Sequence, residues 1–161
     1  FDIDHAVVLN LSQLYGNGLR VEEMKQALSF QNDFNARIQR ENPSKFTCGF
    51  VVHPGFVQGA IWEIERCVEE LGMRLLCLPT HYMDTIGTWR CIYDEENERI
   101  FELADKYNLA VEIHPYDGEK FIKLQNTSWR FHLIWMWAHC GTFCHFFTYN
   151  RWSYNFLCFI F

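Results

Sequence analysis

The sequence has no Lys/Arg-rich run, no Gly-rich phosphate loop, no Cys-x-x-Cys pair and no low-complexity linker. Each absence removes a class of protein. With 14 basic against 20 acidic residues, a net charge of -6 and no basic cluster, the chain has no electrostatic footprint for nucleic-acid phosphates. Without a Gly-rich turn after any predicted strand, an open flavodoxin-like sheet binding a phosphate ligand is disfavoured. Only nine Gly and four Pro, with 21% charged residues, exclude a disordered or collagenous chain. The seven cysteines are odd in number and four lie inside regular apolar segments, as buried thiols do, so they do not read as a disulfide framework. No N-terminal signal-peptide pattern is present either, although the chain starts at Phe1 rather than Met. A reducing, cytoplasmic location is the expectation.

What the chain does hold is apolar surface, at 49% of its 161 residues, enough for the core of one domain. It is unevenly spread. Residues 129–161 carry two bases and no acid, leaving 12 bases and 20 acids in residues 1–128, and they contain 13 of the 28 aromatics. The composition thus divides the chain into residues 1–128 and an aromatic-rich tail at 129–161. Within the tail, residues 131–149 have the length of a membrane span but include three histidines and several hydroxyl and thiol groups, so a buried helix packed on the same domain is expected instead. His132, His139 and His145, with Cys140 and Cys144, contain metal-ligand chemistry, yet no second ligand pair has finger-like spacing, and packing is the preferred reading.

From the N-terminus onward, short apolar runs alternate with helical periodicity. Residues 3–9 read as a strand. After the Gly16-Asn17-Gly18 turn a long helix places Val21, Met24, Leu28 and Ile38 on one side, until Asn42-Pro43 ends it. Residues 46–52 form the next strand, closed by His53-Pro54-Gly55. Residues 58–71 then form a helix with Ile61, Ile64, Val68 and Leu71 inward, Glu63, Glu65 and Glu69 opposite them, and Gly72 just past its end. The nearly all-apolar run 73–78 fits a parallel strand covered on both faces and stops at Pro79. A loop at 80–93 follows, then a helix capped by Asp94 that buries Ile100, Leu103, Ala104 and Tyr107, and a fourth strand at 109–113.

Strands alternating with helices imply parallel βαβ units, and in such folds sites lie at the carboxyl ends of the strands. The sequence puts His53-Pro54, Pro79-Thr80-His81 and His114-Pro115-Tyr116-Asp117 there. Imidazole is the commonest neutral metal ligand and the usual acid or base near pH 7. His114 is singled out because an apolar strand delivers it directly to the rim. His53, His81 and Tyr116 are candidate substrate-binding residues at the rim, and Trp89 and Arg90 in the long loop suit an aromatic ring and a carboxylate.

Three segments carry a resemblance: Asn42-Pro43-Ser44-Lys45-Phe46, the stretch from Ala60-Ile61-Trp62-Glu63-Ile64-Glu65-Arg66-Cys67 to Leu71-Gly72, and Ala110-Val111-Glu112-Ile113-His114-Pro115. Over residues 4–117 the chain resembles the amidohydrolase-related family that includes aminocarboxymuconate-semialdehyde decarboxylase and related aromatic-acid decarboxylases. The resemblance implies an α/β fold, a partial (β/α)8 TIM-type barrel comprising about strands 2 to 5 with their helices. It also implies a divalent metal, zinc foremost with manganese or magnesium as alternatives, and His114 as a ligand of that metal. The family's first-strand His-x-His, sixth-strand histidine and eighth-strand aspartate have no counterpart in these residues. The implied activity is decarboxylation or hydrolysis of a small aromatic or muconate-type carboxylic acid. A complete barrel takes about 250 residues, so the chain is expected to be incomplete, to form a homo-oligomer or to lack segments. The alternative is a catalytically inactive barrel fragment acting through protein assembly.

Overall fold

The computed structural model describes residues 3–11 and 14–114. Tyr116, the expected tail at 129–161 and the division at residue 128 lie outside them. Four parallel strands, β1 (Ala6–Val8), β2 (Phe46–Val51), β3 (Leu75–Pro79) and β6 (Ala110–His114), form a curled half-barrel sheet in the order β1-β2-β3-β6. Helices α1 (Val21–Glu41), α2 (Val57–Glu69) and α3 (Glu98–Lys106) are the connections. The order follows the chain without reversal, so these strands offer no topological switch point of the kind an open doubly wound sheet uses to bind ligands.

Alternation along the strands divides the sheet into two faces. Phe50, Val52, Leu76, Leu78 and Val111 pack with Ile64, Cys67 and Val68 of α2 and Ile100 and Ala104 of α3. Val51, Leu75 and Cys77 face the other way and are buried by Tyr15, Met24 and Leu28. Gly49 belongs to this inner face at its tightest point, since a Cβ there would collide with Cys77 Sγ. The sequence period predicted these elements; their edges differ where polar groups intervene.

The expected strand at 3–9 shortens to Ala6–Val8, whose register with β2 runs only from Ala6↔Phe46 to Val8↔Cys48. Beyond it, α1 takes over the edge of β2. Asn32 receives the Val51 N–H at 2.8 Å on Oδ1 and donates from Nδ2 to the Val51 carbonyl at 2.9 Å, and Asn35 donates to the Gly49 carbonyl at 2.8 Å. Two side-chain amides thus satisfy backbone groups that a longer β1 would have paired.

Glu63 is a correction. Expected on the outer side of α2, it is 5% exposed. Arg66 donates to both its oxygens at 3.0 and 2.7 Å, Asn32 Nδ2 donates at 2.7 Å and the Ser29 hydroxyl at 3.1 Å. Four donors compensate its desolvation, which is what a buried carboxylate requires.

Residues 80–93 are also not a plain loop. β4 (His81–Met83) and β5 (Trp89–Cys91) form an antiparallel hairpin with His81 opposite Cys91. The Asp84 carboxylate accepts from Ile86 N and Thr88 N and so folds the turn, a local side-chain bond that periodicity does not reveal. Asp94 does not cap a helix by its side chain. It accepts from Cys91 N at 3.1 Å, and a 3₁₀ turn at Glu95–Asn97 precedes α3. Pro79 closes β3 from within the strand, paired with His114 in register, where a terminal proline is tolerated.

Replacing Asn32 by Leu strands both backbone groups of Val51 and removes one of the donors to Glu63 Oε1, which keeps Arg66. Chemical denaturation is expected to show a loss of about 3 kcal/mol, whereas Phe30→Ser, at a side chain 73% exposed, is expected to stay within about 0.5 kcal/mol of wild type. Equal effects from the two would sink this account of the edge.

Candidate functional site

The carboxyl ends of β2, β3 and β6 form one rim, and the hairpin and the β1–α1 loop reach over it. His53 follows β2 by two residues and is 4% exposed. Its bonds can be assigned without seeing hydrogens. Gly55 N–H donates to Nδ1 at 3.1 Å, so Nδ1 is bare and the ring proton sits on Nε2, 3.2 Å from Asn17 Oδ1. That oxygen also accepts the Met83 N–H at 2.7 Å, which fixes which end of the Asn17 amide is which. The His53 ring meets Tyr82 edge-on at 5.9 Å. Both of its nitrogens are therefore used inside the chain.

His81, first residue of β4, is 5% exposed. Burial pushes both His53 and His81 down to about 4, with Asp94 opposing the shift at His81. These are neutral imidazoles at pH 7. His114, half-buried, ends β6 opposite Pro79, and its carbonyl accepts the Thr80 N–H at 3.0 Å, which ties the start of the hairpin to the rim. Trp89 and Arg90 lie on β5 and are half-buried. Arg90 grips an internal carboxylate, Asp84, at 3.1 Å, with Glu96 at 3.9 Å. Tyr116 lies outside the described residues. The rim thus brings His53 to the hairpin through Asn17 and joins His114 to Thr80, but among the described residues no three His, Cys, Asp or Glu side chains gather as a metal-ligand group.

Sequence reasoning missed Glu112. It sits two residues before His114, 2% exposed, in register with Cys77, whose thiol bonds its carboxylate. Burial raises its pKa, with the charge of His114 and the thiol bond opposing. Its other oxygen, Oε2, has no hydrogen-bond partner among the described residues, nor has the buried Tyr15 hydroxyl. The signal was present: one acid inside an otherwise apolar strand is costly to bury and seldom idle.

No protein-family model matches the sequence. In sequence the chain is 26% identical over 116 residues to 2-amino-3-carboxymuconate-6-semialdehyde decarboxylase of Dictyostelium discoideum, covering 72% of this chain and 31% of that protein. In structure it matches dihydroxybenzoic acid decarboxylase from Polaromonas sp. JS666, solved with bound manganese and the inhibitor 2-nitroresorcinol, at a TM-score of 0.66 and 17% identity over 71% of this chain and 35% of the other. The chain is thus similar in sequence to one such decarboxylase and in fold to several amidohydrolase-related decarboxylases. A further solved structure, 5-carboxyvanillate decarboxylase from Sphingomonas paucimobilis, matches at a TM-score of 0.65 and 22% identity over 78% of this chain and 36% of that one. The chain spans about a third of the length of these relatives. Among its described residues no helix is long and apolar enough to cross a membrane.

The depressed histidines have a consequence that can be measured. An imidazole held near 4 in the fold and near 6.5 when unfolded binds more protons in the unfolded chain between those values. Stability therefore rises with pH through that window and falls as pH drops from 6.5 toward 4, by up to about 3 kcal/mol per buried histidine. Thermal melts of wild type and His53→Asn across pH 4 to 7 are expected to differ in slope, the variant being flatter. Parallel curves would show that His53 is not buried neutral.

Proposed function

We propose that the chain supplies the strand 2 to 5 portion of a divalent-metal-dependent decarboxylase acting on a small aromatic or muconate-type carboxylic acid. The observation that carries the reading is His114, delivered by an apolar parallel strand to the carboxyl-end rim of a half-barrel whose sequence relative is a carboxymuconate-semialdehyde decarboxylase. Hydrolysis on the same site is the coarser family alternative.

His114 is an imidazole at the rim with a buried carboxylate, Glu112, beneath it on the same strand face. A closed site needs three or more protein ligands, and no such group exists among the described residues, so the remaining ligands must come from outside them. Zinc is the ion first expected; three of the structural neighbours were solved with manganese. When bound, such an ion supplies positive charge that polarises a carboxylate or hydroxyl. In this reading His114 holds that ion, Trp89 offers an aromatic face to the ring, and the hairpin limits water at the rim. Arg90 contacts the acid only through the part of its guanidinium that Asp84 leaves unused. His53 and His81 serve the pocket as neutral, buried walls.

A second reading is a non-catalytic half-barrel that works through assembly with another chain or a second copy, favoured by the absence of a three-residue ligand group among the described residues. Elemental analysis of the size-exclusion-purified chain separates the two. The enzyme reading expects near-stoichiometric zinc or manganese, lost in His114→Ala while the circular dichroism spectrum is kept. A folded, metal-free wild type would overturn it and leave assembly as the function.

A further inference from the structure

The geometry points to Asn17 as the positioning residue that sets the β4–β5 hairpin over the rim and fixes His53 in its Nε2–H form. One oxygen joins three parts of the chain. Asn17 lies on the β1–α1 loop, 36 residues before His53 and 66 before Met83, and its Oδ1 accepts from both, at 3.2 and 2.7 Å. Gly16 and Gly18, with φ of 85° and 79°, flank it, so the loop turns back on itself on both sides of Asn17 to aim the amide inward. A Cβ on Gly16 would press on Met24 Cγ at 2.9 Å, which leaves little room for another residue there.

The rest of the hairpin is held mainly from its own ends. Thr80 N donates to the His114 carbonyl and Ile92 N to the Thr80 carbonyl at its base. Tyr82 donates to Glu96 and accepts from Asn97, which secures its outer side. Asn17 supplies the hydrogen bond that ties β4 to the β1–α1 loop and, through His53, to the end of β2. The two acceptor bonds on one oxygen also make the ring tautomer and the hairpin position a single choice: turning the amide would leave the Met83 N–H facing an NH2 group and would set a donor against Nε2–H. Under the proposed function the hairpin carries two candidate substrate contacts, Trp89 and Arg90, and that meaning rests on the proposal. The placement itself does not.

Three readouts on the full chain test it, and none requires metal or substrate. In wild type, ¹⁵N NMR of the histidine side chains is expected to show His53 with a bare Nδ1 and a protonated Nε2; the opposite tautomer would overturn the assignment without any variant. Hydrogen exchange followed by mass spectrometry is expected to show Asn17→Ala speeding exchange over residues 80–93 by about tenfold or more, with residues 46–51 and 57–69 unchanged. Asn17→Asp keeps the acceptor oxygen, so it is expected to restore protection over 80–93 and to raise the His53 titration midpoint from about 4 by about one unit or more, because a carboxylate now faces Nε2. Unaltered or uniformly faster exchange in Asn17→Ala, or failure of Asn17→Asp to restore it and move His53, would refute the positioning role. Failure of the metal-content experiment would leave these three results intact, and the reverse holds as well.

Discussion

Asn32 bonds both backbone groups of Val51, and the rest of this structure depends on it. A parallel strand leaves alternate N–H and C=O groups pointing to each side, and each side needs a partner. β1 is only three residues long and cannot cover β2 to its end. The Asn32 amide matches the donor and acceptor of a backbone unit and stands in for the missing strand. The same amide reaches Glu63, so one side chain joins α1, the edge of β2 and α2. Val51 lies two residues before His53. The edge that Asn32 secures is therefore the one that sets the height of the rim.

Much of the fold was legible because apolar periodicity is a direct record of burial. Leu76, Leu78 and Val111 mark covered strands, and Ile64, Val68, Ile100 and Ala104 mark the inner stripes of α2 and α3. What escaped is polar. Glu63, Asn32 and Asn35 read as solvent-facing on any hydropathy scale, since their burial depends on partners tens of residues away rather than on neighbours in sequence. The hairpin escaped for a related reason. Its turn is built by Asp84 bonding to Ile86 and Thr88, and a stretch of mixed polarity gives that chemistry no period.

At the rim, residue type and strand position could not assign roles. His53, His81 and His114 all occupy such positions. Their differences lie in hydrogen bonds: Gly55 N–H on one nitrogen and Asn17 on the other make His53 part of the frame. A histidine becomes a free ligand only if its partners leave a nitrogen open, and the sequence records no such vacancy. Trp89 and Arg90 illustrate the same limit, because the carboxylate that Arg90 was expected to seek is already present in Asp84.

The two faces of the sheet also differ in kind. The face under α2 and α3 is an apolar core closed by its own helices. The inner face holds Glu112, Cys77 and Tyr15, with the Glu112 Oε2 and the Tyr15 hydroxyl unpartnered among the described residues. Each such atom costs about 1–3 kcal/mol when left unsatisfied, a cost that marginally stable domains do not carry without reason. A barrel interior normally finds its complement on the strands across the barrel. Under the proposed function these two groups mark the inner face as the side to be completed from elsewhere; Glu112 lies on the strand that ends in His114, and Tyr15 on the loop before α1. Under the proposed function, the polarity that the inner face leaves unmet among the described residues and the ligand shell of His114 are one requirement, to be met from the same direction.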